Sequence, residues 1–205
     1  MLLNLKFNDI VLDVGCGEGF ATSFLANSAG FVVGLDLNIG ELRMAKSRVK
    51  SSNVDFVLGD ATTMPFKSSI FTKVTLLEVL EHLMKPELCI KEVERCSSDD
   101  SVVVVSVPWR EKITYTRCIH CGKLTPLWGH LHSFDLKDII SLFPKSYKTE
   151  AKVHLPNTPF VSLSRVFSLL PTKVWLLLNN FLGRRKRKGY WIILKFKKNS
   201  DLKNS

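Results

Sequence analysis

Asp13, Asp36 and Asp60 each sit at or near the end of a short apolar run, and the first of them leads into the turn Gly15-Cys16-Gly17-Glu18-Gly19. Alternate glycines let the backbone adopt positive φ and let a ligand approach with no Cβ in the way. Asp36 follows Gly19 by seventeen residues, a spacing from which a carboxylate takes both hydroxyls of a ribose. Asp60 is placed to accept from the exocyclic amine of an adenine. Asp13, at the turn itself, is placed to meet a positive ammonium, directly or through water. An ordinary βα turn would account for the glycines alone, but not for acidic residues at these intervals. Three carboxylates suit a nucleoside carrying positive charge and suit a pyrophosphate poorly. The Gly-x-Gly-x-Gly spacing also differs from the Gly-x-Gly-x-x-Gly of dinucleotide sites, and no Gly-Lys-Ser/Thr phosphate loop is present.

The elements that must hold these residues alternate regularly. Strands are expected at about 10–14, 31–35, 54–58, 73–77 and 101–107, and helices at about 18–28, 39–50 and 85–96. The run 101–107 is apolar throughout its valines, as in a sheet buried on both faces. A helix over 134–143, capped by Ser133 or Asp135, follows, then strands at 147–154 and 190–196. The pattern is α/β with a doubly wound, mostly parallel sheet.

Four stretches in order carry a family resemblance: VLDVGCGEG (11–19), GLDLN (34–38), GDATTMPF (59–66) and LLEVLEHL (76–83). They resemble the class I S-adenosylmethionine-dependent methyltransferases, in particular the type 11 group that includes quinone-biosynthesis enzymes. The resemblance spans about residues 9–108. It implies a seven-stranded Rossmann-like sheet with the cofactor across the carboxyl ends of its first four strands. The cofactor-binding set it implies is Asp13, Gly15, Cys16, Gly17, Gly19, Asp36, Leu37, Asp60, Ala61 and Glu78, with Glu78 beside the cofactor at the end of strand 4. A sulfonium methyl donor is already activated, so the protein must position the acceptor in line. An oxygen acceptor would also require a base, for which Glu81 and His82 are the nearest residues; a helix-start residue that packs or caps is the alternative for His82. The Asn-Pro-Pro-Tyr signature of amide and adenine N-methylation is absent.

Two insertions interrupt the second half of what is expected to be one domain over residues 1–205. The first, 109–133, holds Cys118-Ile119-His120-Cys121-Gly122 and Gly129-His130-Leu131-His132. Cys-x2-Cys-Gly has the shape of a zinc knuckle, and Cys118, Cys121, His130 and His132 would complete a tetrahedral structural zinc site, with His120 an alternative ligand. A reduced or redox cysteine pair, or histidines serving the acceptor pocket, are the competing readings. The second insertion, 155–189, carries two short apolar helices at about 161–170 and 173–182 and the basic run 184–188. Neither apolar piece reaches the ~20 residues of a membrane span. Such a hairpin suits a monotopic contact with anionic lipid, a hydrophobic acceptor channel, or a cap on the sheet edge.

Charge divides the chain. Residues 1–110 carry a balance of −3 and residues 111–205 one of +13, together the net +10. A basic substrate half attracts phospholipid headgroups or nucleic acid, and its interleaved tryptophans suit either. Five cysteines without a signal peptide point to a reducing cytosol, and the few residues before strand 1 leave no room for an N-terminal lid. The expectation is a cytoplasmic enzyme, either soluble or resting peripherally on a membrane. It methylates oxygen or carbon of a small or lipidic acceptor. The alternatives are an RNA or protein methyltransferase guided by the basic half, and a methyltransferase-like binding module without catalysis. The acceptor and the oligomeric state are not legible.

Overall fold

The computed structural model describes residues 2–156 and 189–199. The apolar runs become strands: β1 (Ile10–Val14), then α1 (Phe20–Ala26), β2 (Phe31–Asp36), α2 (Ile39–Arg48), β3 (Val54–Leu58) and β4 (Phe71–Leu77). A 3-10 turn at Leu80–His82 leads to α3 (Pro86–Cys96) and β5 (Ser97–Pro108). The first insertion contains a short hairpin, β6 (Tyr115–Arg117) and β7 (Leu124–Pro126), before α4 (Leu136–Leu142), β8 (Tyr147–Pro156) and β9 (Gly189–Lys198). The helical hairpin and basic run expected over 161–188 lie outside the described residues.

The seven-stranded sheet has the order β3-β2-β1-β4-β5-β9-β8. β1 to β5 pair in parallel, and β9 enters antiparallel between β5 and β8. Strand order reverses between β1 and β4, so a crevice opens at their carboxyl ends, where ligands of such sheets bind. The sheet's interior follows from its sequence: every residue of β5 from 101 to 108 is buried, and Leu12, Val14, Leu76, Val103, Val105, Ile192 and Leu194 share one core with α3 and α4 residues such as Ile90, Val93 and Ile139.

Caps and clamps fix the loops at the carboxyl edge. Asn38 accepts from the Gly40 N–H at 2.8 Å and starts α2 directly after Asp36. Pro86 takes the first turn of α3, where its missing N–H has no cost. Asp135, rather than Ser133, caps α4, with Asp138 completing a reciprocal capping box. The loop that follows Asp60 is held by one ion pair on α3. Glu92 accepts from the Met64 N–H at 2.7 Å, while Arg95 donates to the Phe66 and Met64 carbonyls at 2.7 and 3.0 Å and to Glu92 itself. The arginine holds the Glu92 carboxyl below its ordinary range.

Candidate functional site

The glycine turn takes the predicted shape, with φ of +67°, +51° and +76° at Gly15, Gly17 and Gly19. A side chain at Gly15 would do more than strain the backbone, since its Cβ would fall 2.6 Å from Val79 Cγ2. Gly17 differs. A Cβ there would meet only the Glu41 carboxylate, at 3.9 Å, so the space beside this turn is left open. Cys16 is buried in the same turn, and burial beside Asp13 and Asp36 pushes its thiol up to about 12, which removes it as a nucleophile.

Asp36 is aimed by backbone. One carboxylate oxygen accepts from the Gly17 N–H and the other from the Asn38 N–H, both at 2.8 Å. A carboxylate has about four acceptor positions, so two remain for a pair of vicinal hydroxyls. Leu37, next in sequence, is 71% exposed, an apolar surface left bare beside that carboxylate. Asp60 is exposed on the neighbouring loop, where one oxygen accepts from the Thr62 N–H and hydroxyl at 2.7 Å, leaving the other free; Ala61 lies beside it, half-buried. These residues fit the nucleoside end of S-adenosylmethionine: an open glycine turn, a fixed ribose-type acceptor, an apolar face and a second acceptor.

Asp13 departs from expectation. It is 2% exposed, and its two oxygens accept from the hydroxyls of Thr22 at 2.6 Å and Thr75 at 2.7 Å. Burial raises its pKa, with the two hydroxyls acting against the shift. It therefore braces β1, β4 and α1 beneath the glycine turn instead of presenting a bare carboxylate to an ammonium. Neither threonine gave a signal in the sequence, because hydroxyls at unrelated positions 22 and 75 meet only through the fold.

A second group of side chains gathers beyond β4. Glu78 has φ +57°, a left-handed conformation rare for a side-chain-bearing residue. Its carboxylate is fixed by the Ser106 hydroxyl at 2.7 Å and the Trp191 indole N–H at 2.5 Å, while burial raises its pKa. Glu81 is 1% exposed, and neither of its carboxylate oxygens has a hydrogen-bond partner among the described residues. Burial, with Glu78 and Glu111 adding, pushes this carboxyl up to about 8. His82 beside it is lowered by burial and by His130. The raised Glu81 carboxyl thus lies directly beside the lowered His82 imidazole.

The insertion loop closes over this group. Leu131 and His132 donate their N–H groups to the Glu81 carbonyl at 2.7 and 3.3 Å, and the His82 Nδ1 faces the Gly129 carbonyl at 3.3 Å. At the loop's base Trp109 bridges to Phe134, and the Arg110 N–H donates to the Phe134 carbonyl at 2.8 Å. The expected zinc set is not assembled. His130 pairs through Nδ1 with Glu111, and His132 Nε2 donates to the Leu83 carbonyl at 2.8 Å, so both histidines are engaged away from the cysteines. Cys118 and Cys121 stay together on the β6–β7 hairpin, where the N–H groups of Cys121 and His120 and the Cys121 thiol lower the Cys118 pKa. Instead, Glu81, His82 and His130 bring their ligand atoms within 4.8 Å of one another. Glu111, Ser106 and Trp191 were missed in the sequence, which offers no periodicity or motif joining them to Glu78 or His130.

Residues 12–105 match the model of a methyltransferase domain family. Among curated proteins, the demethylmenaquinone methyltransferase of Renibacterium salmoninarum is 33% identical over 96 residues, 47% of this chain and 40% of that protein. The ubiquinone biosynthesis O-methyltransferase of Glaesserella parasuis is 26% identical over 110 residues, 50% of this chain and 47% of that protein. The chain thus matches less than half the length of either relative. An S-adenosylmethionine-dependent methyltransferase from Mesorhizobium loti superposes with a TM-score of 0.70 at 14% identity, covering 96% of this chain and 94% of that one, which establishes the fold. The chain thus matches a methyltransferase domain family over residues 12–105 and has the α/β fold, with a seven-stranded sheet, of solved S-adenosylmethionine-dependent methyltransferases.

Proposed function

We propose that this protein transfers the methyl group of S-adenosylmethionine to a small or lipidic acceptor, at oxygen or carbon. The observation that carries the reading is Asp36, held at 2.8 Å by two backbone N–H groups, one of them that of Gly17 in the open glycine turn, with acceptor positions left over. When bound, the cofactor supplies an electrophilic methyl on a sulfonium. Asp36 would hold the ribose, Asp60 the adenine amine, and Leu37 and Ala61 the adenine faces. Glu78, fixed by Ser106 and Trp191, would set the aminoalkyl end and the line of approach. For an oxygen acceptor, Glu81 and His82 would receive its proton. Relatives named for demethylmenaquinone and ubiquinone biosynthesis favour an aromatic, quinone-like acceptor.

Titration of the full chain with S-adenosylhomocysteine by calorimetry tests this reading. Micromolar binding that Asp36→Ala weakens about 100-fold is expected; absence of binding at millimolar ligand would reduce the protein to a methyltransferase-like module. A second reading, methylation of RNA or protein, draws on the +13 balance of residues 111–205. Among the described residues no helix is long and apolar enough to cross a membrane, so a lipidic acceptor would be met at a surface. Sedimentation with anionic liposomes, with and without competing RNA, separates the two: retention on liposomes despite RNA supports lipid.

A further inference from the structure

We propose that Glu81, His82 and His130 form a site for one divalent transition-metal ion, bordered by the insertion loop at the carboxyl edge of the sheet. Three independent features converge there. The ligand atoms of these residues lie within 4.8 Å of one another. Glu81 is 1% exposed with both carboxylate oxygens unpartnered among the described residues. A buried carboxyl is costly to leave unmatched, and a cation is the partner this arrangement lacks.

The imidazoles supply the third feature, since each is anchored at Nδ1. In His82, Nδ1 faces the Gly129 carbonyl at 3.3 Å; in His130, it meets the Glu111 carboxylate. Both partners accept, so Nδ1 carries the proton in each ring, and Nε2 keeps its lone pair for a metal. A carboxylate behind a ligating histidine is the usual outer support of such sites, and it orients the ring. The rings stand edge to face with centroids 4.8 Å apart. The two histidines are 48 positions apart in sequence, yet the N–H groups of Leu131 and His132 on the Glu81 carbonyl lock their segments together. The site is therefore preorganised by backbone hydrogen bonds, before any ion arrives.

Two imidazole nitrogens and one carboxylate favour Zn2+, Fe2+ or Co2+ over Mg2+ or Ca2+, and three protein ligands leave positions open. With Glu81 and His82 engaged as ligands, an acceptor hydroxyl or enol oxygen held in an open position would pass its proton to solvent water in place of those two residues, at lower pH than when free. That consequence rests on the methyl-transfer reading; the ion site does not.

The test uses the EDTA-treated full chain and Co2+ alone, followed by calorimetry and visible absorption. One equivalent should bind and give weak d–d bands without sulfur-to-metal charge transfer. His130→Ala and His82→Ala should each weaken binding at least tenfold, and Glu111→Gln by about tenfold. Cys118→Ser should change neither stoichiometry nor spectrum. Binding of S-adenosylhomocysteine by each variant verifies its fold. If both histidine variants take up Co2+ as the parent does, or the bands carry thiolate character that Cys118→Ser removes, the assignment is wrong. Co2+ binding without S-adenosylhomocysteine binding would sink the methyl-transfer reading and leave the metal site standing.

Discussion

The two sides of the crevice are built differently. The side proposed for the donor is continuous: the glycine turn, Asp36 and Asp60 come from three successive strand ends within residues 13–60, and backbone N–H groups aim its key carboxylate. The side proposed for the acceptor is discontinuous. Glu78 and Glu81 follow β4, Glu111 and His130 come from the insertion, and Trp191 comes from β9, 113 residues from Glu78. Backbone-aimed groups tolerate changes in surrounding side chains, whereas side-chain-aimed groups depend on every partner. The first region is thus specified by local sequence and the second by tertiary assembly.

The sharpest way to break this contrast is at Asp36. Its replacement by alanine would remove a charge-assisted contact to two hydroxyls, and donor affinity should fall about 100-fold, or about 2.7 kcal/mol; the melting temperature should also fall, because the Gly17 and Asn38 N–H groups lose their acceptor. Gly15→Ala should instead lower stability by about 2 kcal/mol, because positive φ and the approach to Val79 Cγ2 both oppose a Cβ; chemical denaturation measures it.

Glu81 gives the acceptor side a pH signature. Its carboxyl is raised from 4.5 to about 8, so the folded state binds more protons than the unfolded one between those values. Stability from this residue is fully present below pH 4.5 and declines as pH rises to about 8, by at most about 1.4 kcal/mol per unit. Glu81→Gln should flatten that decline in urea melts recorded across the range. Saturating Co2+ should also flatten it, since the carboxylate would then have its cation.

Trp191→Phe keeps the ring and deletes the N–H that Glu78 accepts. About a tenfold loss in kcat/KM, with little change in donor affinity, is expected; equal loss in donor affinity would show that Glu78 belongs to the donor side. The smallest effect is reserved for Cys118→Ser with Cys121→Ser, which should leave donor binding and stability within about 0.5 kcal/mol.

The same contrast explains what could be read beforehand. β1, β2 and β3 appear within a residue of their expected bounds, because each is a short, mostly apolar run that ends in an acid or stops just before a glycine. β5 begins earlier than its valines suggest, at Ser97, since Ser97 pairs with Phe71 across a register shift. The β6–β7 hairpin left no trace because three-residue strands with exposed side chains have no alternation to detect. Cysteine and histidine spacing suggested one zinc site, yet side-chain partners chosen in three dimensions split that set, sending His130 to Glu111 and His132 to Leu83. Nor does any spacing announce that Thr22 and Thr75 would clasp Asp13.

β9 lies between β5 and β8 although it follows both in the chain. During synthesis, β1 to β5 can pair as they emerge, while β8 has no neighbour to join until residues 189–198 leave the ribosome. The donor pocket can thus mature on a nascent chain, but Glu78 receives its indole partner only when the closing strand is threaded home.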